Sequence, residues 1–139
     1  MSRFLGSELV GRGVRLRDVR LGEVADVLLD RSGRRALAFE VLCRDGTRRV
    51  LPLPAAEIRP ERVAVGSALV LMEDGFYRAR CLGLQELRGA PLLAGGTLED
   101  VVLDEDGQVL AIVAETPDGR RELSGGTELL AVEARARAI

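Results

Sequence analysis

The 139-residue chain contains no histidine, no lysine, no tryptophan and no asparagine. Without histidine, Ser-His-Asp and Cys-His nucleophile systems and histidine-ligated metal centres are excluded. Aromatic residues make up 3% of the chain, one Tyr and three Phe, so the stacking platforms used by single-strand nucleic-acid binders are scarce. No run approaches the roughly 20 apolar residues that cross a bilayer. The opening Met1-Ser2-Arg3-Phe4-Leu5-Gly6 soon meets Glu8 and Arg12, which does not suit a signal peptide. A cytoplasmic protein without membrane insertion is expected. The two cysteines, Cys43 and Cys81, form no C-x-x-C pair and read as buried apolar residues in a reducing compartment.

Hydrophobic residues are 47% of the sequence, enough for a packed core, and the length suits one ordinary domain or two very small ones. All 20 basic residues are Arg, against 22 Asp plus Glu. Together with the abundance of Ala, Gly, Val and Leu, this usage fits a GC-rich coding bias. The charge is unevenly spread: residues 1–62 carry a net +4 and residues 63–139 a net -6. Opposite signs favour attraction between the halves, or head-to-tail pairing of two chains, so a homodimer is an open expectation.

The chain repeats itself. Leu5-Gly6-Ser7-Glu8-Leu9-Val10-Gly11 is answered by Leu82-Gly83-Leu84-Gln85-Glu86-Leu87-Arg88-Gly89. Further on, Val24-Ala25-Asp26-Val27-Leu28-Leu29-Asp30 is answered by Leu98-Glu99-Asp100-Val101-Val102-Leu103-Asp104. Asp30 and Gly33 precede Asp104 and Gly107 by 74 residues, and Asp45-Gly46 precedes Asp118-Gly119 by 73. Glu8 and Gly11 precede Glu86 and Gly89 by 78, so the second copy is four residues shorter in its first loop. A period above 70 is too long for a solenoid unit and indicates a tandem of small domains.

Each block has a mechanical meaning. The Asp-x-x-Gly segments at 30–33 and 104–107 fit type I turns closed by a glycine of positive φ, and the Asp-Gly pairs at 45–46 and 118–119 are hairpin signals. Strands are predicted at 24–29 and 98–103, at 36–42 and 109–114, and at 48–53 and 121–123. The prolines of Leu51-Pro52-Leu53-Pro54 end a strand. A helical turn is predicted at 55–58, with Pro60 closing it, and a short strand at 62–65. Ser67 is placed as the cap of a short helix running to Leu71, and Gly75 is placed as its breaker. The alternation at 132–138 suggests a last strand. An open meander of this size exposes unpaired edges, and closure into a small barrel removes them.

This pattern resembles the PRC-barrel family. The resemblance is carried by Gly6-Ser7-Glu8-Leu9-Val10-Gly11 followed by Gly22-Glu23-Val24-Ala25-Asp26-Val27-Leu28-Leu29-Asp30, and by their counterparts in the second copy. It covers residues 4–66 and 82–139. It implies an all-β chain of two tandem PRC-type barrels related by an internal repeat, with short helical turns in the connections: a first domain at 1–66, a linker at 67–81 and a second domain at 82–139. It also implies a role in docking onto another macromolecule, with no catalytic motif to carry over. A barrel of about 60–65 residues buries only about 60% of its extended surface. The copies are therefore expected to pack as a pseudo-twofold pair.

Candidate chemistry is sparse. Asp104-Glu105-Asp106-Gly107 gathers acids before a glycine, yet the position of an EF-hand's bidentate Glu is Val113, so a hairpin tip is expected rather than a metal site. The segments Gly11-Arg12-Gly13, Gly95-Gly96-Thr97 and Gly125-Gly126-Thr127 lack a phosphate-loop frame and read as tight turns. Asp26 and Asp100 either present carboxylates to a partner or, as structural residues, point outward or bond neighbouring backbone, and Glu8 and Glu86 read as polar residues of the turns. Arg12, Arg15, Arg17 and Arg20 crowd the first loop and are the candidate partner-binding residues. The expected function is a non-enzymatic adaptor that binds a protein and needs no metal or cofactor. An RNA- or ribosome-associated factor using the arginine loop is one alternative. A small-ligand or metal sensor with a site between the barrels is another.

Overall fold

The computed structural model of the chain describes residues 3–126, 129 and 130. The strand suggested at 132–138 lies outside them. Strand β1 (Phe4–Leu5) runs directly into a one-turn helix, α1 (Gly6–Leu9), and is followed by the hairpin β2 (Gly13–Leu16) and β3 (Val19–Leu29). The meander continues through β4 (Ala36–Cys43) and β5 (Arg48–Pro52). A 3-10 turn at Leu53–Ala55 then leads to β6 (Ala56–Ile58) and β7 (Arg62–Val65). The middle of the chain holds β8 (Met72–Glu73) and α2 (Gly75–Arg78). Next, β9 (Leu82–Gly83) enters a second one-turn helix, α3 (Leu84–Leu87). The last strands are β10 (Thr97–Leu103), β11 (Val109–Thr116) and β12 (Gly119–Leu123). Among the described residues no helix is long and apolar enough to cross a membrane.

The strands form two curled sheets. One runs β6-β7-β2-β3-β4-β5-β8, with β9 also on β3; the other runs β1-β10-β11-β12. All ladders are antiparallel except β2 with β7, where Gly13 faces Arg62 and Arg15 faces Ala64. The predicted meander strands are present, and the four turn glycines take the positive φ their positions require: 69° at Gly33, 84° at Gly107, 86° at Gly46 and 110° at Gly119. Ser67 accepts a hydrogen bond from the Leu69 amide at 3.1 Å and caps a 3-10 turn at Ala68–Val70.

Three local expectations are corrected. The helical turn expected at 55–58 is displaced: the 3-10 turn starts at Leu53 with Pro54 inside it, and Ala56–Ile58 is a strand because it has β7 to pair with. Gly75 does not break a helix but begins α2. The cysteines are free and partly buried rather than fully so. Burial, with Asp30 adding to it, pushes the Cys81 thiol up against the opposing pull of Arg31.

Strand pairing crosses the middle of the chain twice, in the same manner each time. Phe4 faces Leu103 and Leu5 faces Val102 on β10, while Leu82 faces Leu29 and Gly83 faces Leu28 on β3. A further antiparallel bridge joins Arg35 to Gln108. Flanking it, the Ala36 amide donates to the Gly107 carbonyl at 2.7 Å and the Val109 amide to the Arg34 carbonyl at 2.9 Å. One hydrophobic core runs through both parts, including Leu9, Val27, Phe39 and Leu51 with Leu84, Leu103 and Ile112. A shared core is the economical solution for segments too short to bury enough apolar surface alone.

Candidate functional site

The four arginines singled out in the sequence do not share one place: Arg15 and Arg20 lie in the strands of the β2–β3 hairpin, Arg17 is in its turn, and Arg12 precedes β2. Val14 and Leu16 face inward in β2, which turns Arg15 outward, where its Nη2 donates to the Asp18 carbonyl at 2.8 Å. Arg20 forms an ion pair with Glu23 at 3.3 Å. Arg12 is a strut: its Nη1 donates to the Arg59 carbonyl at 2.6 Å, and its guanidinium sits 5.5 Å from the centre of the Phe4 ring. Arg17, at the hairpin turn, has a φ of 55°, the one non-glycine residue with positive φ among those described.

The hairpin separates two recesses. On one side, Arg17 lines a cleft of about 410 Å³ with Glu57, Arg59 and Arg62 and the apolar walls of Pro54 and Val65. On the other, Val19 and Arg20 line a recess of about 700 Å³ with Cys43, Arg44, Arg49 and Leu69. Arg44, Arg49, Arg59 and Arg62 were not singled out in the sequence. Arg44 and Arg49 flank the Asp45-Gly46 hairpin tip, while Arg59 and Arg62 arrive through the parallel pairing of β7 with β2, which no local pattern announces. A third recess, of about 760 Å³, is lined from both parts of the chain by residues that include Leu37, Phe76, Tyr77, Asp106 and Gln108.

Asp26 and Asp100 bond backbone, as one of their two expected roles required, but the backbone is not only their own. Each sits just beyond a register irregularity in its strand, between Val24 and Asp26 in β3 and between Leu98 and Asp100 in β10. A bulge re-aims a side chain, and both carboxylates reach the one-turn helix of the other part. Asp100 Oδ1 accepts from the Ser7 amide at 3.0 Å and from the Val101 amide at 2.9 Å, and its Oδ2 accepts the Ser7 hydroxyl. Asp26 Oδ1 accepts from the Gln85 amide at 3.1 Å and the Val27 amide at 2.8 Å. These carboxylates satisfy helix-terminal N–H groups that have no partner within their own turns. Glu8 and Glu86 stay exposed on those turns.

Asp26 also belongs to a charged group. It faces Glu40 across the β3–β4 ladder. Glu40 is buried, ion-paired to Arg48 at 2.7 Å and to Arg78. Burial raises the Asp26 carboxyl above its ordinary 3.8, the charges of Glu40 and Glu86 add to the rise, and the hydrogen bonds from Gln85 and Val27 oppose it. A raised carboxyl contributes stability that is fully present below 3.8 and is lost as pH rises through the folded-state value. In Asp26→Asn the amide oxygen keeps both backbone bonds. Urea midpoints of the variant should therefore equal or exceed wild type near neutral pH, and the gap should close toward pH 3.8. A variant less stable than wild type at pH 7 and unchanged in its pH profile would refute the account.

The acidic hairpin tip is built for its own turn. Asp104 is buried, and its Oδ1 accepts the amides of Asp106 and Gln108, each at 2.9 Å. Among the described residues no three of His, Cys, Asp and Glu are grouped to hold a metal ion. No protein-family model matches the chain, and no curated protein matches it.

Proposed function

We propose that this chain is a protein-docking module made of two fused PRC-type units, and that it binds its partner on the Val19–Leu69 side of the β2–β3 hairpin. Two exposed apolar side chains at one recess carry this reading: Val19 is 55% and Leu69 92% exposed. Their neighbours at the recess are three arginines, Arg20, Arg44 and Arg49, against one carboxylate, Asp45. An apolar centre with a charged rim is the anatomy of a protein interface, and the charge selects a partner with an acidic rim. RNA is less well served. Phe39 and Phe4 are buried, and Phe76 and Tyr77 stand at the third recess, away from these arginines, so bases have no aromatic ring to stack on here. The two-unit reading is supported by the matched strand exchanges and the matched Asp caps of α1 and α3.

Affinity capture from native cell extract tests it. A protein that the wild type retains at moderate salt should be lost by Val19→Ser/Leu69→Ser, a variant whose melting temperature should fall little because Leu69 is almost wholly and Val19 more than half in solvent. It should be weakened by Arg20→Ser/Arg44→Ser/Arg49→Ser. RNA captured in place of protein, falling steeply with salt and indifferent to Val19 and Leu69, would overturn the proposal in favour of a nucleic-acid factor.

A further inference from the structure

The cleft on the opposite side of the hairpin has a different chemistry. Three guanidinium groups, Arg17, Arg59 and Arg62, meet one carboxylate, Glu57. Arg59 is held in place: its Nη2 lies 3.1 Å from Glu57, its carbonyl accepts from Arg12, and its amide donates to the Arg62 carbonyl at 2.9 Å. Arg17 and Arg62 make no ion pair among the described residues. The Nε of Arg62 is covered by the protein, which leaves the terminal nitrogens of its guanidinium to meet a ligand. Arg17 is the first central residue of the two-residue β2–β3 turn, and its φ of 55° is what that hairpin requires, at a cost that glycine would not carry.

We propose that this cleft is a binding site for a phosphate monoester. Two unpaired guanidinium forks present more donor capacity than one carboxylate can use, and they match a dianionic group with three acceptor oxygens. About 410 Å³ exceeds the needs of the phosphate itself. The walls of Pro54 and Val65 suit the carbon skeleton that carries it. The phosphate can be borne by a small metabolite or by a phosphorylated side chain; the chemistry at the arginines is the same.

Calorimetric titration of the full chain at fixed ionic strength decides the matter, with inorganic phosphate, glucose 6-phosphate, a phosphoserine peptide, its unphosphorylated twin and sulfate as probes. A phosphorylated probe should bind at least tenfold more tightly than sulfate, and the sugar and peptide arms identify the carrier. Arg62→Gln and Arg17→Gly should each weaken that binding tenfold or more, while Arg121→Gln, on the exposed strand β12, should not. Arg17→Gly carries a further signature: it relieves the backbone, so its melting temperature should rise as its binding falls. Equal affinity for sulfate and every phosphorylated probe, or unchanged binding in both Arg17→Gly and Arg62→Gln, would overturn the proposal. The site does not depend on the docking surface, and Val19→Ser/Leu69→Ser should leave the titration unaltered.

Discussion

Asp100→Ala is expected to destabilise the chain by about 3 kcal/mol, a large share of the roughly 5–15 kcal/mol that holds a small protein folded. Asp100 is 5% exposed, and its carboxylate accepts hydrogen bonds from the Ser7 amide, the Ser7 hydroxyl and the Val101 amide. Removing the acceptor leaves buried donors unsatisfied, which costs more than the bonds contribute when formed. It also removes the cap of α1 and loosens β1, which has only Phe4 and Leu5 on β10. Asp100→Asn retains Oδ1 as an acceptor and should lose about 1 kcal/mol. Urea unfolding with an unchanged m-value measures both. Asp26→Ala should cost less than Asp100→Ala, because Asp26 is more exposed and its burial works against its own charge. Equal losses at the two positions would contradict this ordering.

The parts of the fold legible in the sequence were those written within a few residues. Asp30 and Gly33, and Asp104 and Gly107, make turns because an Asp oxygen collects nearby donors and a glycine accepts positive φ. The apolar runs on either side then have little choice but to pair. Two-residue strands are another matter. Nothing in Phe4-Leu5 or Leu82-Gly83 distinguishes a strand from a loop; each becomes one by meeting β10 or β3 some 50 to 100 positions away. The same holds for Ala56–Ile58, whose helical propensity yields to the ladder with β7. A chain that pairs at such distances specifies its contacts through tertiary structure rather than propensity.

The candidate sites divide along the same line. The cluster Arg12, Arg15, Arg17 and Arg20 was visible as a run of charge, but its alternation along β2, with Val14 and Leu16 inward, sends neighbours to different surroundings. Arg12 is committed to Arg59 and Phe4. Arg17 and Arg20 finish on opposite sides of the hairpin, each beside arginines from elsewhere in the chain. A charge run therefore marks one element of each proposed site without defining either, because a site is an intersection of elements and only one of them carries the signal.

Gly107→Ala should be nearly as damaging as Asp100→Ala, and for a steric reason. A Cβ at this position would lie 2.1 Å from Leu53 Cδ2 and 2.9 Å from the Ala36 carbonyl oxygen, on a backbone with φ of 84°. The left-handed conformation costs a residue with a Cβ about 1 kcal/mol. The crowding adds about 1–3 kcal/mol, since Leu53 belongs to the packed core and the carbonyl is fixed by the strands around it. Gly46→Ala separates the two effects. Its φ is 86°, almost the same, and nothing lies within 4 Å of the added carbon, so it should lose about 1 kcal/mol and no more. The difference between the two midpoints in urea then measures how tightly the 104–107 turn is pressed against Leu53 and Ala36. That contact braces the two parts of the chain beside the Ala36–Gly107 hydrogen bond. If both substitutions cost the same, the turn is not packed there, and the two parts are held together by the exchanged strands β1 and β9, the Asp26 and Asp100 bonds and the hydrogen bonds around the Arg35–Gln108 bridge.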